Sequence, residues 1–344
     1  MKVAIYNGKK EVAIVEKPTP VCGEHDVLLK TICASICGTD VAVFQHGPNT
    51  GHRITVGGEF GHEAVCRVAA VGEGVKDVQV GQRVYPYPLL VTGDTKRAGT
   101  MGAFSEYILA PHAKWNEGIY QVPDEIDDRT AALIEPFTVG TRVARRGRPK
   151  PGEKAVVFGA GTIGIAAAIA LKEFGCRQVL VCDRSELRLE KAHGLGFAAC
   201  NTDSNDFKAV ASAVFGTAHG LSGPVPDVDI FVDAVGAPGL LELFQDSGKI
   251  GSRMVVVAVQ AGKRPVDVLH MTYAQKELIG SGGYFPEDVR DVMRIMASGR
   301  YNIASIITHE FPHRQMFPKY RFSCVSRMCA ASLSATHNAR TSSQ

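Results

Sequence analysis

Cys37 in "ICGTD", His62 in "GHEAV" and Glu135 in "ALIEPFTVG" are residue types that hold metal ions. Taken alone, Cys37 reads first as a buried thiol beside a turn, because free cysteine is among the most buried residue types. A single histidine ahead of a glutamate reads first as a surface or internally satisfied side chain. Glu135 shifts the balance. It sits inside an apolar helical stretch just before a proline, where a carboxylate buried alone is costly and needs a partner. A thiolate, an imidazole and a carboxylate together suit four-coordinate zinc, with the fourth position open to water or substrate in a catalytic site. From these residues, core thiol and zinc ligand both stay open for Cys37.

The second chemical signal is "VVFGAGTIG". Gly159, Gly161 and Gly164 form GxGxxG directly after a strand pattern and at the start of a helical one, the context that gives the motif meaning. Gly159 permits the tight turn, Gly161 lets backbone approach a pyrophosphate, and Gly164 lets helix and strand pack closely. Asp183 closes the next strand about 20 residues further on, where a carboxylate accepts hydrogen bonds from ribose hydroxyls and repels a 2′-phosphate. NAD is therefore expected over NADP, with Arg184 and Arg188 close enough to soften that preference.

These residues need elements to position them. Residues 1–110 read as short β segments between Gly and Pro, an antiparallel, barrel-like pattern. The first of them, "MKVAIYNGKKEVAIVEKP", alternates, turns at Asn7-Gly8 and alternates again. Near residue 126 helical periodicity begins, with Asp128 or Thr130 as a candidate N-cap. From residue 154, buried strands alternate with helices, beginning with "KAVVF" and an Ala-rich helix that Gly175 would stop. That alternation implies a doubly wound parallel sheet. The basic run 142–154 reads as a solvated loop. Residues 316–344 carry one Lys, three Arg and no acid, show no periodicity, and are expected to be poorly packed.

Bulk composition narrows the function. The chain has 344 residues, 45% hydrophobic and 21% charged, with a net charge of +3. No run is long and apolar enough for a membrane span, and the N-terminus lacks a secretory h-region, so a cytoplasmic protein is expected. No basic stripe with interleaved aromatics suggests nucleic acid. The cysteines are scattered without a CxxC pair, which points to reduced thiols.

Taken together, "ICGTD", "GHEAV…VGEGV", "GAFSEY", "ALIEPFTVG", "GAGTIG" and "KELIGS" resemble the zinc-dependent medium-chain alcohol/polyol dehydrogenases, the group of sorbitol and threonine dehydrogenases. The resemblance covers residues 1 to about 314. It implies an α/β fold of two domains: a GroES-like β-barrel catalytic domain, 1–141 with 284–344, and a Rossmann NAD-binding domain, 142–283. It implies Cys37, His62 and Glu135 as zinc ligands, with Glu63 as an alternate or adjacent ligand. Asp40 would orient the histidine and Thr39 would relay the substrate proton. Ile163, Asp183 and Arg188 would contact cofactor, and Ser281 and Gly282 would neighbour the nicotinamide.

The implied reaction interconverts a secondary alcohol, of polyol or sugar-alcohol type, and a ketone by hydride transfer. The implied assembly is a homodimer or homotetramer. Several features depart from the family. Residues 85–104 lack the cysteines of a second, structural zinc, so one catalytic ion is expected. Ala42 stands where relatives often carry a proton-passing histidine, and His46 reads as a pocket wall or surface residue. Cys33 and Cys66 read as core thiols. The C-terminus lacks the usual closing helix and strand. Two rival readings are a metal-free NADPH-dependent reductase of the same fold and a dinucleotide-binding protein without turnover.

Overall fold

The computed structural model describes residues 1–48, 50, 54–88, 101–259, 262–312 and the backbone of 330–334. They form two compact units, Met1–Glu135 with Ile307–Gln344 and Pro136–Ile306.

The first unit opens with the hairpin of β1 (Lys2–Gly8) and β2 (Glu11–Glu16). Then follow β3 (Val27–Ser35), helix α1 (Gly38–His46), β4 (Glu63–Val71), β5 (Arg83–Pro86), β6 (Tyr107–Ala110) and β7 (Ile119–Gln121). Helix α2 (Asp128–Ala131) and α3 (Ile134–Arg146) lead out of it. The N-cap of α2 is Asp127 rather than Asp128 or Thr130. Its side chain accepts from the backbone of Arg129 and Thr130 and from the Thr130 hydroxyl. Two adjacent acids make that one-residue choice invisible to pattern alone. Tyr6 packs tilted on Phe60, and Phe60 meets Phe104 edge to face, in the core where Cys66 is fully buried; Cys33 is buried as well. Both thiols are thus interior, as their apolar settings suggest.

The second unit is built on β8 (Lys154–Phe158), α4 (Thr162–Glu173), β9 (Gln178–Asp183), α5 (Glu186–Gly194), β10 (Ala198–Asn201) and α6 (Phe207–Phe215). A small hairpin, β11 (Thr217–Gly220) with β12 (Gly223–Pro226), precedes β13 (Ile230–Asp233), α7 (Leu240–Ser247), β14 (Arg253–Val256), α8 (Val268–Tyr273), β15 (Glu277–Gly280) and α9 (Pro286–Ala297). Six strands pair in parallel in the order β10-β9-β8-β13-β14-β15. The order reverses direction between β8 and β13, the crevice where open α/β sheets bind ligands. Gly140 of α3 allows close approach to α4, since a Cβ there would stand 2.4 Å from that of Ala166.

Three expectations change here. The basic run 142–154 is a loop before β8 only from 147 on: Arg142 and Arg145 lie on α3 and reach Glu287, Asp288 and Asp291 of α9. A local reading has no view of those acids. The same pairs help explain why residues 284–306 group with the parallel-sheet unit and not, as expected, with the first unit. Arg300 and Tyr301 add bonds to Glu173 in that unit.

The C-terminal segment holds the third change. After β16 (Ile307–Pro312), Ala330–Ser334 forms a strand, β17, antiparallel to β3 and parallel to β16. β6 pairs with Val27–Lys30 and β17 with Cys33–Ser35. The two share one edge of β3, so backbone groups that β6 leaves open find partners in β17. The rest of 316–344, and residues 89–100 on which the single-zinc expectation falls, lie outside the described residues.

Candidate functional site

The candidate metal centre grows from the register of β3 and β4. Ser35, the last residue of β3, pairs with Glu63, the first of β4. Chain continuity then sets Cys37, just past β3, near His62, just before β4. Gly61 makes the turn into His62 at φ +91°, and any Cβ there would stand 2.7 Å from the Phe104 ring. Only glycine satisfies both the left-handed backbone and the close ring.

Cys37 is the N-cap of α1, and the Asp40 carboxylate accepts from its backbone N–H at 3.0 Å. The other Asp40 oxygen lies 3.3 Å from His62 Nδ1. Asp40 is wholly buried. It therefore fixes the imidazole with Nε2 directed away, toward Glu63 Oε1 at 3.9 Å. The Thr39 hydroxyl donates to Cys37 Sγ at 3.1 Å. Among the described residues, Cys37, His62 and Glu63 bring one ligand atom each within 4.8 Å of one another. Glu63 thus completes the converging trio. Glu135 is buried, and its charge acts on Glu63.

Protonation follows from that crowding. Burial, helped by Glu63 and Asp40, pushes the Cys37 thiol up to about 11 against the pull of His62. Burial and the neighbouring Glu135 charge push Glu63 up to about 8, opposed by His62 and the Ser35 hydroxyl. Burial alone would lower His62, but Asp40 and Cys37 carry it well above its ordinary value. A crowded cluster of sulfur, nitrogen and oxygen donors whose thiol and carboxyl are pushed toward their protonated forms is one a divalent cation can enter by displacing those protons. The donor types fit zinc. His46 is exposed in the last turn of α1, and Ala42 is half-buried one turn earlier.

The nucleotide motif adopts the strand–turn–helix form expected of it. Gly159 takes φ +108°, and a Cβ there would meet Val235. A Cβ on Gly164 would stand 1.7 Å from the Gly159 carbonyl oxygen. Gly161 is the N-cap of α4 and faces open space, with nothing within 4 Å of a Cβ. That opening beside a helix N-terminus is the cradle a pyrophosphate needs. Asp183, at the end of β9, accepts from the N–H groups of Ala160 (2.7 Å), Arg184 (2.8 Å) and Ser185 (2.9 Å). Arg188 stands 3.8 Å from it, while Arg184 turns to Asp203. Ile163 lies in the first turn of α4. Ser281 and Gly282 follow β15, and the Ser281 N–H bonds the Val256 carbonyl at 2.9 Å.

Ser35 was not singled out by sequence reading, yet its hydroxyl reaches both Glu63 Oε2 and the Ala132 carbonyl. Only a known β3–β4 register could have pointed to it.

Comparison with known proteins identifies the family. Family models match for the alcohol dehydrogenase GroES-like domain over residues 23–124 and for zinc-binding dehydrogenase over 162–298. L-threonine 3-dehydrogenase of Anaeromyxobacter sp. (strain K) is 30% identical, covering 90% of this chain and 91% of its own length. 2-Dehydro-3-deoxy-L-galactonate 5-dehydrogenase of Pseudoalteromonas atlantica is also 30% identical, covering 91% and 92%. The crystal structure of 2R,3R-butanediol dehydrogenase from Bacillus subtilis superposes with a TM-score of 0.84 at 24% identity. It covers 97% of this chain and 99% of that one, a likeness of fold. Among the described residues no helix is long and apolar enough to cross a membrane.

Proposed function

The chain belongs to the zinc-type medium-chain alcohol/polyol dehydrogenase family, and from that premise we propose that it is a zinc-dependent, NAD-linked oxidoreductase. Its reaction interconverts a secondary alcohol of polyol or sugar-acid type and a ketone. The observation that carries this reading is the converging trio of half-buried Cys37 with buried His62 and Glu63, His62 being oriented by Asp40. It occurs in the same chain as a complete dinucleotide loop ending on Asp183.

Bound zinc supplies a Lewis acid for an alcohol oxygen, and a bound nicotinamide supplies the hydride acceptor. The protein's residues do the rest. Cys37 and His62 would hold the metal, with Glu63 and Glu135 as the two carboxylates available as third ligand. Asp40 fixes the tautomer that leaves His62 Nε2 free to ligate. Thr39 Oγ1, next to Cys37 Sγ, takes up the proton of the substrate hydroxyl and passes it on. With Ala42 offering no titratable group, the proton leaves by another path, through solvent or ribose hydroxyls. Gly159, Gly161 and Gly164 admit the pyrophosphate, and Asp183 receives the adenosine ribose, which favours NAD. Ile163, Arg188, Ser281 and Gly282 complete the cofactor contacts.

A panel of polyols, sugar acids, sugar phosphates and hydroxy amino acids, assayed with NAD and NADP on protein of measured zinc content, tests this. Turnover that rises with zinc content and prefers NAD is expected. Full turnover by zinc-free protein overturns the reading.

A further inference from the structure

Ser35 ends β3 directly opposite Glu63 on β4, and Cys37 follows two residues later. It is 2% exposed, in a position where strands usually bury apolar side chains. Its hydroxyl is a hydrogen-bond partner of Glu63 Oε2 and, at 3.0 Å, of the Ala132 carbonyl just past α2. Directly paired residues on antiparallel strands present their side chains on the same face, so the contact follows from the register. The two Glu63 oxygens therefore have different surroundings. Oε2 is tied to Ser35, while Oε1 lies 3.9 Å from His62 Nε2. The hydroxyl carries one proton, so with Glu63 ionised it donates to Oε2, and the Ala132 carbonyl is the alternative acceptor.

We propose that Ser35 is a positioning residue for the metal centre: it anchors one oxygen of Glu63 so that the other is held ready as a single-oxygen ligand beside Cys37 and His62. The inference rests on the reading of that trio as a zinc site. A glutamate carboxylate, on three rotatable bonds, otherwise loses side-chain freedom when it ligates, and a tether made in advance removes part of that cost. Hydrogen-bonded partners of metal ligands typically change affinity by roughly 10–100-fold when removed.

The test measures zinc affinity of the full chain by competition with a chromogenic chelator, together with the visible spectrum of the cobalt-substituted protein. Ser35→Ala should weaken zinc by roughly 10–100-fold and shift the cobalt bands. Ser35→Thr keeps the hydroxyl and should stay close to wild type. Ser35→Val has the shape of threonine without the hydroxyl and should behave like Ser35→Ala, so this pair carries the comparison if alanine impairs folding. With Glu63→Ala in place, Ser35→Ala should change affinity by no more than about twofold, the limit of ordinary additivity. The proposal is overturned if Ser35→Ala and Ser35→Val bind zinc like wild type, or if Ser35→Ala costs the same factor with and without Glu63. Wild-type protein that binds no zinc removes the parent reading as well, so the two failures are distinct.

Discussion

Exchanging Asp40 for asparagine is the sharpest single test of the metal centre, because it keeps the volume and changes only what the two side-chain atoms can do. One Asp40 oxygen accepts from the Cys37 N–H at 3.0 Å, and the other faces His62 Nδ1 at 3.3 Å. Asparagine has one acceptor and one donor. If its oxygen stays on the Cys37 N–H, where it caps α1, the amide NH2 faces Nδ1. Nδ1 must then accept, and the imidazole proton moves to Nε2, the atom that would ligate. Binding zinc breaks that arrangement and leaves a buried donor facing a donor, at about 1–3 kcal/mol. A cost of that size corresponds to zinc binding weakened on the order of tenfold to a hundredfold. The flipped amide offers no relief, because it sets two N–H groups against each other at the cap. Losing the negative charge near the α1 N-terminus adds about 0.3–1 kcal/mol of instability. Chelator competition reads the affinity, thermal melting of the metal-free protein reads the cap, and nitrogen NMR of His62 reads the tautomer. Asp40→Asn protein with wild-type zinc affinity would show that Asp40 does not set the ligating nitrogen.

Other outcomes follow from the same structure. Gly164→Ala should abolish NAD binding in calorimetry and destabilise the second unit, since its Cβ would fall 1.7 Å from the Gly159 carbonyl oxygen; retained NAD affinity would refute the close-packing role. Zinc uptake at pH 7 should release protons, because the Cys37 thiol is pushed up to about 11 and the Glu63 carboxyl up to about 8 in the metal-free chain. An indicator dye measures this, and uptake without release contradicts the assignment. Asp227 accepts from Lys154 and Lys249, both at 2.6 Å. Burial alone would raise its carboxyl, but those two bonds hold it below its ordinary 3.8. Its stabilising contribution is therefore complete above pH 3.8 and lost as pH falls through the lower folded value. Asp227→Asn should flatten that acid limb in a stability-against-pH series; an unchanged limb would remove Asp227 as its source.

What could be read without coordinates was mostly local. The nucleotide loop is specified by steric demands within a few residues: Gly159 and Gly164 are needed because their own neighbours leave no space, so spacing alone announces them. Strands β8, β9, β13 and β14 were legible for a similar reason, as burial on both faces writes near-continuous apolar runs into the chain. The metal centre was legible only in part. Cys37 and His62 stood out by type, but which carboxylate joins them depends on the Ser35–Glu63 pairing. A slip of one residue would turn Glu63 to the other face.

Features that depend on distant partners stayed hidden. Arg142 and Arg145 resemble a solvated basic run until α9 brings Asp288 and Asp291 to them. Ala330–Ser334 shows no strand periodicity, yet β6 leaves part of the β3 edge open and β17 completes it. The sequence by itself determined the backbone-limited features: the glycine loop, the buried strands and the kinds of ligand present. Tertiary structure decided which ligands converge, which hydroxyl orients them and where the last strand pairs. Those choices turn on register and on contacts between residues far apart in the chain, and no local pattern encodes them.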